Sequence, residues 1–512
     1  MINYFSQETG FSKKNIIIIF ITGLLVHLVA AWNSLGFFHF DEHYQILEFA
    51  GYKAGLTTAE DLAWEHKAQI RPSLQPWIAY YFIKLHALFR EHDSFTVAGM
   101  LRVLSCLLGY GTSILITAAS FRWIQDFRFR KASLLLGIFL WFVVFMDARF
   151  SSESWAGIFF FSAIALLVIK NSFYPPAQNS NLLFIICCGF LIGLSLVFRL
   201  QMIMLLPGLG LWCLFIARTP FKNLVLLVLG GILALGLGFI SDYFFYGNWV
   251  NTAYRYFTIN ILEGKAAEFG VSPWWFYIPE FLEKAHMPLS LIILILVVVA
   301  WLRYPKHILT FTCVPFVLLH MLIAHKELRF LFPIAHAMPV FLVFGMMAIA
   351  SAAKSVNHFR AVRLAMLAAL VGFGTHNLLI LARISTMPVN HILKPVSYIY
   401  RHHQSQKVDL IIEDFYQHSF LQGLPMNFYV TPNMHIVRMS GADSIRNFVE
   451  QSRRPVYFIM SARGDALPSK YTSLQKNISE TRLVAPRWYK HLNINNWMSR
   501  TTFWRMYKLT SN

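Results

Sequence analysis

The first residues that could carry out chemistry are two adjacent carboxylates, Asp41 and Glu42. If the chain is helical here, Asp41, Gln45 and Glu48 share one face, because they are spaced i, i+4 and i+7. One of the carboxylates could then act as a general base on a hydroxyl group. An acidic N-cap, stabilised by the helix dipole, would give the same pattern, so both interpretations stay open.

A cationic segment is the second candidate. His325, Lys326 and Arg329 lie close together between two apolar runs. On a helical turn the first and third residues are i, i+4 and the second and third are i, i+3, so their donors would form one patch. Arginine offers a bidentate fork to phosphate and lysine a point charge. The segment therefore predicts a site for a lipid phosphate, and the alternative is a pair of interfacial anchors.

Other polar or aromatic residues lie beside apolar runs and are candidates for binding. Charged groups at membrane depth cost about 2.5–3.5 kcal/mol each, so they usually persist because they have a use. Ion pairing, snorkelling to the interface and an interfacial tryptophan belt are the simpler explanations. The residues are Glu65, Arg71, Arg149, Glu153, Arg199 and Trp274.

The composition indicates that these residues belong to a membrane protein. Of 512 residues, 56% are hydrophobic and only 13% are charged, whereas about 25% are charged in a soluble domain. A soluble enzyme, a disordered chain and a fibrous chain are excluded. The five cysteines all fall in apolar runs, which excludes a disulfide scaffold. The 44 Lys and Arg residues outnumber the 25 Asp and Glu residues. In a membrane protein such a basic excess points first to contact with anionic lipid and to the topology of the loops, and only second to nucleic acid.

About eleven apolar runs are long enough to cross a bilayer core of roughly 30 Å, which predicts a polytopic α-helical membrane protein. Alternate loops are rich in Lys and Arg and should face the cytoplasm. The candidate residues then lie on non-cytoplasmic loops, at 36–94, 148–153, 242–287 and 325–330, or in the turn near Arg199. The runs are 16–35, 95–120, 133–147, 154–170, 181–197, 202–217, 223–241, 288–302, 309–324, 331–350 and 362–382.

Residues 383–512 have a different pattern from residues 1–382. Apolar runs of membrane length stop, and short β-like stretches appear at Val408–Ile412, Phe428–Thr431 and Pro455–Met460, with a helix-like segment at 443–451. This pattern predicts a small soluble α/β domain on the periplasmic or lumenal face.

Together, these motifs resemble glycosyltransferase family 22. Its His-Lys-Glu-x-Arg-Phe motif is matched by residues 325–330, and its first outer loop by Asp41 to Glu48, Trp64-Glu65 and Arg71. A later loop is matched from Asp242 to Trp274. The family contains the mannosyltransferases of glycosylphosphatidylinositol anchors and the Alg9-type and Alg12-type enzymes of N-glycan assembly.

The resemblance implies a GT-C fold and inverting transfer of a mannose or similar hexose. The donor would be a polyprenyl- or dolichyl-phosphate sugar and the acceptor a glycan or glycolipid. Asp41 would be the general base, with Glu42 as the alternative. His325, Lys326, Arg329 and Arg71 would bind the donor phosphate. The residues implied to bind sugar or acceptor are Gln45, Glu48, Glu65, Arg149, Glu153, Arg199 and Trp274.

No cofactor and no metal are expected, because a lipid phosphate is already a good leaving group and the sequence has no Asp-x-Asp motif. Membrane lipids are the other expected partners, and nucleic acid is not expected. The active face would belong to a bacterial inner membrane, or to the endoplasmic reticulum in a eukaryote. Two alternatives are a transporter or flippase of lipid-linked sugars and a GT-C transferase of another sugar, such as aminoarabinose.

Overall fold

The structure is a computed structural model. It describes residues 1–512 except 90, 92, 175–180, 354–358, 391, 404, 414–423, 464–466, 484–486, 494–495, 497, 500 and 512. The chain divides into two compact units. The first comprises Met1–Ala31, Lys67–Ile78 and Leu101–Ser385, and the second Trp32–His66, Ala79–Met100 and Thr386–Asn512. The second unit therefore contains parts of the predicted first outer loop as well as the predicted C-terminal domain, whose boundary at 382/383 stays a prediction.

Long apolar helices confirm a polytopic helical membrane protein. Within the described residues, six helices are individually long and apolar enough to span a membrane, and up to eight spans result if each bent pair counts as one. The count of eleven stays a prediction. The six are Lys13–Asn33, Ser94–Ser120, Ser152–Ile169, Phe221–Tyr246, Leu328–Ala353 and Leu367–Thr386, and the bent pairs are Phe127–Phe139 with Trp141–Asp147 and Leu289–Arg303 with Ile308–Leu322.

Shorter helical segments join these spans. The α-helices are Ile2–Thr9, Leu74–Ala87, Leu182–Phe198, Leu206–Leu211, Thr252–Phe257 and Tyr277–Lys284, and the last long helix runs from Phe359 to Thr386. Leu200–Leu205, Lys265–Phe269 and Leu328–Ala337 are 3₁₀-helical, and Trp212–Ile216 and Thr258–Leu262 are π-helical.

Small residues allow helix backbones of the first unit to pack closely, as is common where lipid removes the hydrophobic drive between helices. A Cβ atom at Gly189 would lie 2.2 Å from the Leu227 carbonyl oxygen, and one at Gly230 2.1 Å from that of Ile186. A Cβ atom at Gly157 would lie 2.4 Å from the Pro333 carbonyl oxygen. The last contact presses helix Ser152–Ile169 against the 3₁₀ segment Leu328–Ala337, and both carry candidate residues.

The second unit contains a five-stranded mixed sheet. Its strands are β1 (Val408–Ile412), β2 (Met434–Arg438), β3 (Val456–Arg463), β4 (Ile478–Leu483) and β5 (Thr502–Leu509), in the order β2-β1-β3-β5-β4. β1 pairs in parallel with β2 and β3, whereas β5 is antiparallel to β3 and β4. Its helical segments are Phe40–Glu42, His43–Leu47, Glu48–Ala54, Ala59–Asp61, Trp64–Ala68, Leu393–His402, Ala442–Gln451, Ser469–Asn477 and Arg487–Leu492.

This sheet confirms the α/β prediction for the C-terminal region. Two predicted strands match β1 and β3, and the segment 443–451 matches helix Ala442–Gln451. The predicted strand Phe428–Thr431 is wrong, because these residues form a turn instead of joining the sheet. The side of the membrane on which the domain lies stays a prediction.

Candidate active site

The acidic candidates from Asp41 to Glu48 lie in the second unit, on a continuous helical run. Asp41 is in Phe40–Glu42, and the helix Glu48–Ala54 follows after a π-helical turn at His43–Leu47. His39 is the N-cap of this run, because its ring Nδ1 accepts a hydrogen bond of 3.3 Å from the Asp41 backbone N–H. The segment is helical, as the shared-face argument requires. The shared-face argument assumed 3.6 residues per turn, however, and it does not hold across a π turn.

Two of these polar side chains meet directly. Gln45 donates through Nε2 to Oε1 of Glu65 at 2.9 Å, and both residues are buried. Glu42 is 9% exposed, and the Asp41 side chain retains 17% exposure, 3.5 Å from the His39 ring. Asp41 is therefore more accessible than most of its acidic neighbours, as a base that must receive a substrate hydroxyl should be.

The first unit brings three other candidates into one buried ion-pair network. Oε1 of Glu153 lies 3.1 Å from a guanidinium nitrogen of Arg199 and 3.0 Å from one of Arg329. Arg329 also donates to both carboxylate oxygens of Glu327, at 2.6 and 3.0 Å. Glu153 lies 46 residues before Arg199 and 176 residues before Arg329, so these two pairings could not be read from local spacing. Glu327 was not predicted as a site residue, although it lies inside the cationic motif.

The cationic segment is not the single helical patch that the spacing predicted. Lys326 is 5% exposed, and its ammonium donates to the carbonyl oxygens of Ser272 at 2.8 Å, Ala324 at 3.5 Å and Ile323 at 2.5 Å. The helix Ile308–Leu322 ends just before this segment, and carbonyls beyond a helix end attract cationic donors. The Lys326 ammonium is held by these carbonyl oxygens, and for this reason the three cations do not form the predicted patch.

His325 binds the long loop from the other side of the same turn. Its Nδ1 lies 3.0 Å from the Gly270 carbonyl oxygen and its Nε2 3.0 Å from Oε1 of Glu327. Both partners are acceptors, so both ring nitrogens donate only when the imidazole is protonated. The hydrogen bond that the ring donates to Glu327 accordingly raises the pKa of His325 above 6.5.

The remaining candidates lie elsewhere in the first unit. The Arg71 guanidinium lies 5.4 Å from the Tyr256 ring centre, and that of Arg149 lies 5.8 Å from Phe145, in a side chain that is almost fully buried. Trp274 is 59% exposed and packs edge-on against Trp275.

A buried network around Asp147 was missed by the sequence analysis as a functional feature. Asp147 accepts from Nε2 of His27 at 3.1 Å and from Nε2 of His336 at 2.9 Å, and all three side chains are buried. His336 lies in the 3₁₀ segment that also carries Arg329, and Asp147 lies just before Arg149 and Glu153. Histidines inside apolar runs were the available signal, because ionisable groups at membrane depth are rare.

The described residues contain no group of three His, Cys, Asp or Glu side chains arranged to hold a metal ion. The expectation that the chemistry needs neither metal nor cofactor is not tested by this observation, and it stays a prediction.

Two known proteins are similar to this chain in sequence. A GPI mannosyltransferase 3 from Candida albicans is 27% identical over 309 residues, which are 58% of this chain and 57% of that protein. A probable Dol-P-Man:Man(7)GlcNAc(2)-PP-Dol alpha-1,6-mannosyltransferase from Schizosaccharomyces pombe is 26% identical over 166 residues, 32% of this chain and 28% of that protein. The matched part of this chain thus spans little more than half of the first relative and little more than a quarter of the second.

A solved structure is similar at low identity. ArnT from Cupriavidus metallidurans, bound to undecaprenyl phosphate, gives a TM-score of 0.48 at 13% identity and covers 97% of this chain and 98% of that one. The sequence profile of the Alg9-like mannosyltransferase family, in contrast, matches residues 17–420. This match extends over most of the chain and confirms the resemblance seen in the motifs, and the chain therefore belongs to the Alg9-like mannosyltransferase family.

Proposed function

We propose that this protein transfers mannose, with inversion, from a polyprenyl- or dolichyl-phosphate donor to a hydroxyl group of a lipid-linked or glycan acceptor. The observation that carries the proposal is the family match over residues 17–420. Long apolar helices support a lipid-borne donor, because a polyprenyl chain partitions into the bilayer. A GT-C fold with eleven spans and an active face opposite the cytoplasm are parts of the proposal.

Asp41 acts as the general base. The acceptor oxygen attacks C1 of the mannose as the bond from C1 to the phosphate oxygen breaks. The hydroxyl proton passes to Asp41, and the phosphate leaves with the bonding electron pair. Partial exposure of Asp41 supports this role over Glu42, which is more deeply buried and remains the alternative base.

The cationic residues stabilise the leaving phosphate. Arg329 and Arg71 have guanidinium groups that can bind phosphate in a fork geometry. His325 and Lys326 contribute positive charge from positions fixed by main-chain carbonyls. Such preorganised charge is effective because it needs no rearrangement during the reaction. Gln45, Glu65, Trp274, Arg149 and the Glu153–Arg199 pair are proposed for the sugar and acceptor.

The test is a transfer assay in membranes with radiolabelled polyprenyl-phosphate mannose and a set of glycolipid acceptors. We expect Asp41→Asn to lower the rate by roughly 10²–10⁴-fold, the usual contribution of a general base. Asp443→Asn is the matched control, since its carboxylate is exposed in the C-terminal domain. Retained transfer in Asp41→Asn would eliminate this residue as the base. Transfer from a polyprenyl-phosphate aminoarabinose donor, but not from the mannose donor, would contradict the proposed sugar.

A further inference from the structure

We propose that the turn Met426–Val430, in the C-terminal region, is part of the scaffold of the active site, and that His43 and Glu48 are positioning residues through which it holds Asp41. This inference rests on the proposed function for its catalytic meaning. It assigns a role to a segment whose sequence predicted only a strand. Every contact used here lies within the second compact unit.

The Glu48 carboxylate joins the acidic helix to this turn. Glu48 is 1% exposed, and its Oε1 accepts a hydrogen bond of 3.0 Å from the backbone N–H of Phe428. The same oxygen lies 2.8 Å from Nε2 of His43. A buried carboxylate is costly unless donors surround it, and here one donor comes from a residue 380 positions away. Glu48 is thus buried and hydrogen-bonded to the turn instead of being open to sugar.

The His43 ring provides a second connection. His43 is fully buried and stacks on Tyr429, with ring centres 5.3 Å apart and planes inclined by 14°. It also stacks on Phe37 at 5.2 Å. Aromatic pairs with this geometry add stability beyond the area that they bury. The imidazole is therefore fixed by stacking on two rings, and its Nε2 lies within 2.8 Å of the Glu48 carboxylate.

Three further hydrogen bonds show that the turn and Leu424, two residues before it, bind the outer segment at several points. The Tyr44 hydroxyl donates to the Leu424 carbonyl oxygen at 3.2 Å. The Asn427 amide donates to Oγ1 of Thr57 at 2.8 Å and to Oδ2 of Asp61 at 3.0 Å. The acidic helix and the chain that follows it are consequently held by one short segment.

Asp41 lies two residues before His43, on the same helical run. The run passes through the π turn His43–Leu47, a geometry that often occurs at functional sites. Because the π turn carries His43, fixing this residue also fixes the direction of the preceding turn. Release of His43 and Glu48 should therefore move the base without removing it.

The kinetic test compares Tyr429→Leu with Phe458→Leu. The second variant removes a buried ring from the core of the sheet. We expect kcat in Tyr429→Leu to fall roughly 10- to 100-fold, the size expected when a catalytic group is misplaced by about 1 Å. The KM values for donor and acceptor should remain close to the wild-type values. Tyr429→Phe keeps the stacking ring and should retain kcat. A kcat in Tyr429→Leu no lower than in Phe458→Leu would overturn the positioning role.

A cross-link tests the contact independently of activity. Thr57→Cys combined with Asn427→Cys should form a disulfide on mild oxidation in membranes, detectable by peptide mass spectrometry, in a Cys187→Ser background. The control pair is Thr57→Cys with Ser473→Cys, which is exposed in the same region. If the test pair does not form a disulfide, the proposal is overturned whatever the kinetics. If it forms one and the wild type transfers no mannose, the scaffold contact stands and only the proposed function fails.

Discussion

At the scale of single residues, positive and negative side chains balance one another in the site. In the buried network that the structure describes, Arg199 and Arg329 face Glu153 and Glu327, so the charges of the four side chains cancel. Burial of unpaired charge costs several kcal/mol per ion, which favours such a balance. A donor phosphate must therefore compete with carboxylates that already hold the arginines. The His325 ring adds a positive charge to this group when it is protonated, and that charge varies with pH.

A pH dependence follows from His325. Its pKa is raised by Glu327 above 6.5, so the imidazolium contribution is fully present below 6.5 and is lost as pH rises through the higher folded-state value. We expect kcat/KM for donor to fall on this basic limb in the wild type, and His325→Gln to abolish the limb. The check is a pH–rate profile from about pH 5.5 to 9. A basic limb shared unchanged by both proteins would refute the assignment.

At the scale of elements, two segments must lie close together for the ion pairs to form. Glu153 is carried by helix Ser152–Ile169, which begins at Ser151, whose side chain accepts from the Ser154 N–H. Arg329 is carried by the 3₁₀ segment Leu328–Ala337. Their backbones approach at Gly157, where any side chain would meet the Pro333 carbonyl oxygen. A single missing Cβ therefore permits the contact between these two elements.

Gly157→Ala should separate these elements. The new Cβ would lie 2.4 Å from a backbone oxygen that has little freedom to move. We expect a loss of roughly 1–3 kcal/mol in stability, as for other overpacked cores, and a higher donor KM because Arg329 shifts from Glu153. Thermal unfolding of the detergent-solubilised protein and the transfer assay measure the two effects. Gly111→Ala is the control, since no atom lies within 4 Å of its added Cβ; equal losses in both variants would contradict this account.

At the scale of the whole molecule, composition and apolar periodicity are strong predictors, because a bilayer imposes length and hydrophobicity on each span. The runs at 95–120 and 223–241 match Ser94–Ser120 and Phe221–Tyr246 closely. Pairing across the chain was not predictable from local spacing. The partners of Glu153, the carbonyls around Lys326 and the π turn at His43–Leu47 all depend on tertiary packing. The family motifs identified the important segments, but not which side chain binds which.

The positive-inside pattern gives a topology that labelling can test. Loop 122–131 should face the cytoplasm and loop 242–287 the opposite side. We expect Glu268→Cys to react with a membrane-impermeant thiol reagent in intact cells, and Arg128→Cys to react only after permeabilisation. Both native side chains are exposed, so access does not limit either reaction. Labelling of Arg128→Cys from outside would reverse the proposed orientation.

The bond between Glu48 and Phe428 also has a consequence for biosynthesis. Its two ends are 380 residues apart, so ribosomes that add about 5–20 residues per second produce the second end roughly 20–80 s after the first. During that interval the acidic helix is already outside the ribosome but lacks its partner. A nascent or prematurely terminated chain that ends before Leu424 should therefore remain inactive, even though it already contains both Asp41 and Arg329.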